Sequence, residues 1–113
     1  MRENFPPGTV AVIFMSKRND ADAEGYAAAA DDMRAAAERF AGYVGIWSAR
    51  GADGVGITVS YWESDEAARA WKNDPAHAAI REQGRAQWYD WYDMAIAEVT
   101  RSYGWQKPDT SEA

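Results

Sequence analysis

The chain has one histidine, His77, and it lies among aromatic and guanidinium side chains: Trp62, Trp71, Arg81, Arg85 and Trp88. An imidazole titrates close to neutrality, so His77 is a candidate general base, proton relay or ligand contact. It is also open to a plain structural role, hydrogen-bonded to a backbone carbonyl in the first turn of a helix. Arg81 and Arg85 are candidates for clamping an anionic ligand group, or for ion pairs with the many carboxylates nearby. The indoles of Trp62, Trp71, Trp88 and Trp91 bury large areas. They fit a lined pocket, a core or an interface.

Helical geometry narrows these options. At 100° per residue, His77, Ile80, Arg81, Gly84 and Trp88 share one side of a helix, within a sector of about 100°. Ile80 and Trp88 mark that side as inward, and Gly84 removes a side chain from it, so another backbone or a ligand can come close. Two polar side chains, His77 and Arg81, therefore face an apolar interior. A buried charge without a partner is expensive, so they either pair with carboxylates or line a cavity. The position of His77 near a helix N-terminus disfavours imidazolium and so favours the neutral ring that a base needs.

Other chemistries lack their residues. Asp31-Asp32, Asp65-Glu66 and Asp90 read as solvated surface carboxylates rather than a catalytic acid and base. No glycine-rich phosphate loop and no Ser-His-Asp spacing is present. One histidine and no cysteine make a closed metal site unexpected.

The elements that must position these residues can be traced in order. Residues 1–8, with Pro6 and Pro7, read as an irregular arm. Thr9 to Met15 is apolar at almost every position, as in a strand buried on both faces, and Ser16 to Asp20 ends it. Asp20 is placed to cap a helix running to about Phe40, whose stripe is Tyr26, Ala30, Met33, Ala37 and Phe40. Tyr43 to Arg50 is a strand, Gly51-Ala52-Asp53-Gly54 a hairpin turn, and Val55 to Trp62 the returning strand. That strand places Val55, Ile57, Val59 and Tyr61 on one face and Thr58, Ser60 and Trp62 on the other. Ser64 caps a short helix ending near Trp71 or Lys72. Asp74-Pro75 starts another, which runs towards Trp88. Tyr89 to Tyr103, with Met94, Ile96 and Val99, reads as a final strand. Residues 106–113 have nothing to bury and read as a mobile tail.

This order, β-α-β-β-α-β with the second α split, is the ferredoxin-like plan of an α+β fold, with helices on one face of an antiparallel sheet. The other sheet face is also apolar, and a second copy of the chain would bury it. A chain of 113 residues with 47% hydrophobic and 27% charged residues suits one soluble domain. Six tryptophans in that length also argue for burial in a dimer. A net charge of −6, without a basic run, disfavours nucleic acid. No signal peptide and no membrane span is legible, so a cytoplasmic location is expected.

Taken together, several stretches resemble the antibiotic biosynthesis monooxygenase domain. They are Ile57-Thr58-Val59-Ser60-Tyr61-Trp62-Glu63, Ala70-Trp71-Lys72, His77, Gly84-Arg85 and Trp88-Tyr89, with Tyr92, Val99-Thr100-Arg101 and Tyr103-Gly104 near the end. The early strand ending in Phe14 and the helix opening Glu24-Gly25-Tyr26 fit as well. The likeness spans about Val10 to Trp105, within a domain bounded at residues 9–105. It implies a dimeric α+β barrel, in which two ferredoxin-like sheets pack face to face and each protomer keeps a pocket between sheet and helices.

The same resemblance covers two activities, and many members have no established one. Some members oxidise aromatic, polyketide-like substrates with molecular oxygen and no metal or flavin; others bind and degrade haem. In the haem-degrading members the axial histidine falls where this chain has Arg81, so the likeness favours the branch that needs no cofactor. It implies His77 as base or relay and Arg81 as anion stabiliser. It also implies Tyr61, Trp62, Trp71 and Trp88 as substrate-binding residues for a small aromatic ligand. A haem protein and a dimeric small-ligand-binding module without catalysis remain the two alternatives.

Overall fold

The computed structural model describes residues 5–108. The chain runs β1 (Val10–Arg18), α1 (Ala23–Glu38), β2 (Tyr43–Arg50), β3 (Val55–Trp62), α2 (Asp65–Lys72), α3 (Pro75–Gln83) and β4 (Tyr89–Glu98), with a π-helical turn at Gly84–Trp88 joining α3 to β4. The sheet order is β2-β3-β1-β4, and every neighbouring pair is antiparallel. This is the ferredoxin-like α+β architecture with its second helix divided in two. Outside the described residues lie the first half of the expected 1–8 arm and, from Asp109 onward, the tail whose mobility the sequence suggests.

Local chemistry sets the helix boundaries. Ser64 accepts a hydrogen bond from the Ala67 amide, and Asp74 does the same for the His77 amide just ahead of Pro75. Each satisfies an amide that the first helical turn leaves without a partner. The start of α1 differs from expectation. Asp22, not Asp20, is the cap: it adopts a left-handed conformation, φ 48°, and accepts from the Gly25 amide. The first strand also runs further than expected, through Ser16, Lys17 and Arg18. Ser16 is fully buried there, because the Arg50 guanidinium donates to its hydroxyl at 2.9 Å and its carbonyl at 3.1 Å. That pairing lets a polar residue stay inside the sheet.

Strand alternation assigns the two faces. Thr58, Ser60 and Trp62 of β3 pair laterally with Phe14, Val12 and Val10 of β1 on the helix side. The packed core joins Val10, Trp62, Trp71, Ala68 and Ala37, with Phe40 edge-on to both indoles. Only the C-terminal half of α1 enters it. The N-terminal half presents Ala29 and Ala30 to the sheet, and side chains that small leave space unfilled. The opposite face keeps Met15, Trp47, Val55, Ile57 and Trp91 partly exposed. Phe5 covers one corner of it, stacked on Tyr61 with ring centroids 3.9 Å apart. No helix among the described residues is long and apolar enough to cross a membrane.

Candidate functional site

The space left between helices and sheet is a cavity of about 930 Å³, in the upper part of the roughly 300–1,000 Å³ range of small-molecule sites. Val12, Phe14, Met94 and Ile96 form part of its sheet wall, Met33 and the α1 alanines another side, and Trp71, His77, Ile80, Arg81 and Trp88 the side of α2 and α3.

His77 is held from two directions. Its amide donates to the Asp74 cap, and its Nδ1 lies 2.9 Å from the Trp71 carbonyl oxygen. A carbonyl only accepts, so Nδ1 carries the proton and the neutral ring keeps its lone pair on Nε2. The imidazole also stacks on the Trp71 indole, with centroids 4.6 Å apart. Burial is the main influence that lowers its pKa below the ordinary 6.5. The Trp71 carbonyl opposes the shift, the nearby Arg81 cation adds to it, and Asp74 opposes it. The bond to a backbone carbonyl fixes the tautomer of a ring that lines the cavity.

Arg81 is half-buried one turn further along α3, where its guanidinium donates to the Lys72 carbonyl at 3.3 Å. Among the described residues it has no carboxylate within 4.0 Å. Arg85 does pair, with Glu82 and the Tyr92 hydroxyl, both at 2.6 Å. Trp88 is 2% exposed, and its indole N–H is buried without a hydrogen-bond partner among the described residues. Gly84 is needed because the Tyr89 ring crosses over it: a Cβ there would meet that ring at 2.7 Å. The close neighbour that Gly84 admits is therefore a ring of its own chain.

The cavity brings His77, Arg81, Trp71 and Trp88 together and leaves two of the expected residues outside. Trp62 has no exposed surface: it stacks behind Trp71 at 5.6 Å and donates to the Ser60 hydroxyl. It braces the wall without forming it. Tyr61 projects from the opposite sheet face, beneath Phe5, because neighbouring residues of a strand point opposite ways.

A group of lining residues was not anticipated: Tyr26, Arg34, Arg50, Tyr89 and Tyr92. Tyr26 lies on the apolar stripe of α1 and in the helix opening Glu24-Gly25-Tyr26, and neither signal places it in a cavity. In the fold the Arg18 guanidinium sits 3.8 Å from the centre of its ring, and the Arg50 guanidinium donates to its hydroxyl. Burial and a hydrogen bond with Tyr26 raise the pKa of Tyr89 well above that of an ordinary phenol. No group of three or more His, Asp or Glu side chains among the described residues is arranged to hold a metal ion.

Comparison with known proteins agrees with this architecture. Residues 9–83 match the family model described as antibiotic biosynthesis monooxygenase. The uncharacterized protein YqjZ of Bacillus subtilis is 42% identical over 95 residues, covering 84% of this chain and 82% of that protein. Among solved structures, SnoaB, a cofactor-independent oxygenase from Streptomyces nogalater, superposes with a TM-score of 0.71 at 17% identity, over 81% of this chain and 93% of that one. A conserved protein from Methanosarcina mazei gives 0.70 at 5% identity, over 79% and 90%. At such identities the structural likeness speaks for the fold alone.

Proposed function

The chain belongs to the antibiotic biosynthesis monooxygenase family, and from that premise we propose that it is a cofactor-independent monooxygenase acting on a small aromatic or polyketide-like substrate. The observation that carries the reading is the bond from His77 to the Trp71 carbonyl. It leaves Nε2 as a basic lone pair on a neutral ring at the cavity wall. The description of SnoaB as a cofactor-independent oxygenase supports the same chemistry on this fold.

In the proposed reaction, a planar phenol with an enolisable CH₂ group lies between Trp71 and the apolar sheet wall. His77 Nε2 takes a proton from the substrate. The resulting carbanion passes one electron to molecular oxygen, the radical pair joins to form a C–O bond, and the peroxide oxygen takes up the proton. Loss of water then leaves a new carbonyl, so CH₂ and O₂ become C=O and H₂O. The protein's task is to orient the substrate, exclude water and stabilise the anion.

Magnitudes give Arg81 its role. A phenol-like acid with a pKa near 10 is uphill of an imidazole at 6.5 by about 5 kcal/mol, and the lowered pKa of His77 widens the gap. A guanidinium bonded to the developing oxyanion offsets much of this, since hydrogen bonds to charged groups contribute roughly 1.5–3 kcal/mol each. Trp71 and Trp88 supply the walls, and Trp62 and Tyr61 remain outside contact with substrate.

Oxygen uptake with an anthrone-type phenol, in the presence of a chelator and without added flavin, tests the reading. Uptake that saturates with substrate supports it. Tight binding without uptake indicates a non-catalytic ligand carrier, and a Soret band on adding haemin indicates haem binding instead.

A further inference from the structure

The chain carries a net charge of −6, yet its cavity is cationic. About a quarter of the residues line the cavity, and these include six of the chain's twelve lysines and arginines: Arg34, Arg50, Arg69, Lys72, Arg81 and Arg85. Among the described residues, Asp31 and Asp65 are the only aspartates or glutamates that line it. Asp65 is already paired with Arg69 at 2.6 Å.

Arg85 is likewise paired, with Glu82 at 2.6 Å, but the other four cations are not neutralised in this way. Among the described residues Arg34, Arg50, Lys72 and Arg81 have no carboxylate within 4.0 Å. Arg34 donates to the Ser48 hydroxyl, Arg50 to Ser16 and the Gly54 carbonyl, and Arg81 to the Lys72 carbonyl. Among the described residues, the buried indole N–H of Trp88 also lacks a partner. These groups are all donors. A cavity in which cations gather focuses positive potential on its contents, and the long, 3.3 Å bond of Arg81 leaves most of its donors free for a ligand.

We propose that the ligand of this cavity carries a permanent anion, a carboxylate on a planar aromatic skeleton, which Arg81 grips while the other cations supply the field. This rests on the reading of the cavity as a substrate site and narrows it. The charge that steers binding is present before any proton is removed and is separate from the oxyanion formed in the reaction. Neutral phenols of the same shape should bind, but more weakly than their carboxylates.

Binding without oxygen separates this proposal from the reaction itself. The probes are 1-hydroxy-2-naphthoate and 1-hydroxy-2-naphthamide, which share ring and phenol and differ in charge, titrated anaerobically by quenching of tryptophan emission. The carboxylate should bind at least about tenfold more tightly, as expected for one or two charge-assisted hydrogen bonds, and the preference should narrow as salt is raised. Arg81→Gln should remove most of the preference, read as the ratio of carboxylate to amide affinity in the same variant. Arg81→Lys should keep part of it. Equal binding of the two probes by the natural protein would overturn the proposal and leave the aromatic cavity standing. Failure of both probes to bind would overturn the cavity reading as well. A preference undiminished in folded Arg81→Gln would remove Arg81 from the site.

Discussion

His77 engages Trp71 twice, by a hydrogen bond from Nδ1 to its carbonyl oxygen at 2.9 Å and by stacking on its indole with centroids 4.6 Å apart. The end of α2 and the start of α3 are thereby locked together at the cavity wall. One contact sets the tautomer of the imidazole, and the other keeps water from one of its faces.

This environment makes the protein sensitive to acid in a definite direction. The folded-state pKa of His77 is depressed by burial, so the unfolded chain takes up a proton at a higher pH than the native one. The stability contributed by the neutral ring is fully present above about pH 6.5 and is lost as pH falls from there through the lower native value. If His77 is the base, the acid limb of kcat/KM for the free enzyme should also lie below pH 6.5. Denaturant midpoints and rate profiles over the same pH range check both, and a limb above pH 6.5 would assign the titration to another group.

The two stacked tryptophans should separate on substitution. Trp62 is wholly enclosed, so Trp62→Ala should destabilise the fold by about 3–5 kcal/mol. Trp71→Phe keeps a ring against His77 and should lose less stability, yet should weaken binding of a planar phenol. Thermal melts and fluorescence titrations of the two variants test this. Unchanged affinity in folded Trp71→Phe would make Trp71 purely structural.

The open sheet face predicts self-association. Met15, Trp47, Val55, Ile57 and Trp91 lie together on it with substantial exposure, and a patch of that kind marks an interaction surface. Light scattering should give twice the 12.5 kDa chain mass, and Trp47→Glu or Ile57→Asp should shift the protein to monomer. A natural protein that stays monomeric at micromolar concentration would sink the expected face-to-face dimer.

Much of this arrangement was legible because local rules and global packing agree. Strand alternation separates Trp62 from Tyr61, and helical periodicity places His77, Ile80, Arg81, Gly84 and Trp88 on one side. Periodicity gives direction but not depth. It could not tell that Trp71 would stand between Trp62 and the cavity, nor that Phe5 would fold back over Tyr61. The Ser16-Lys17-Arg18 run reads as the end of a strand because it is polar, and contacts with the distant Arg50 and Gly54 hold it in the sheet. Asp20 and Asp22 are equally good caps on composition, and the left-handed turn at Asp22 decides between them. Tyr26, Arg34 and Arg50 escaped notice because they reach the cavity from elements read as scaffold.

The most direct measurement is oxygen uptake by His77→Gln, normalised to folded protein and followed beside its thermal stability. Glutamine can still offer a donor to the Trp71 carbonyl, so the fold should lose no more than about 1–2 kcal/mol, while a basic lone pair is lost. Turnover of an anthrone-type phenol should then fall by roughly 10²–10⁴, the usual contribution of a positioned proton-transfer group. Turnover per folded protein equal to that of the natural protein, whatever the change in stability, would contradict the assignment of His77 as the base.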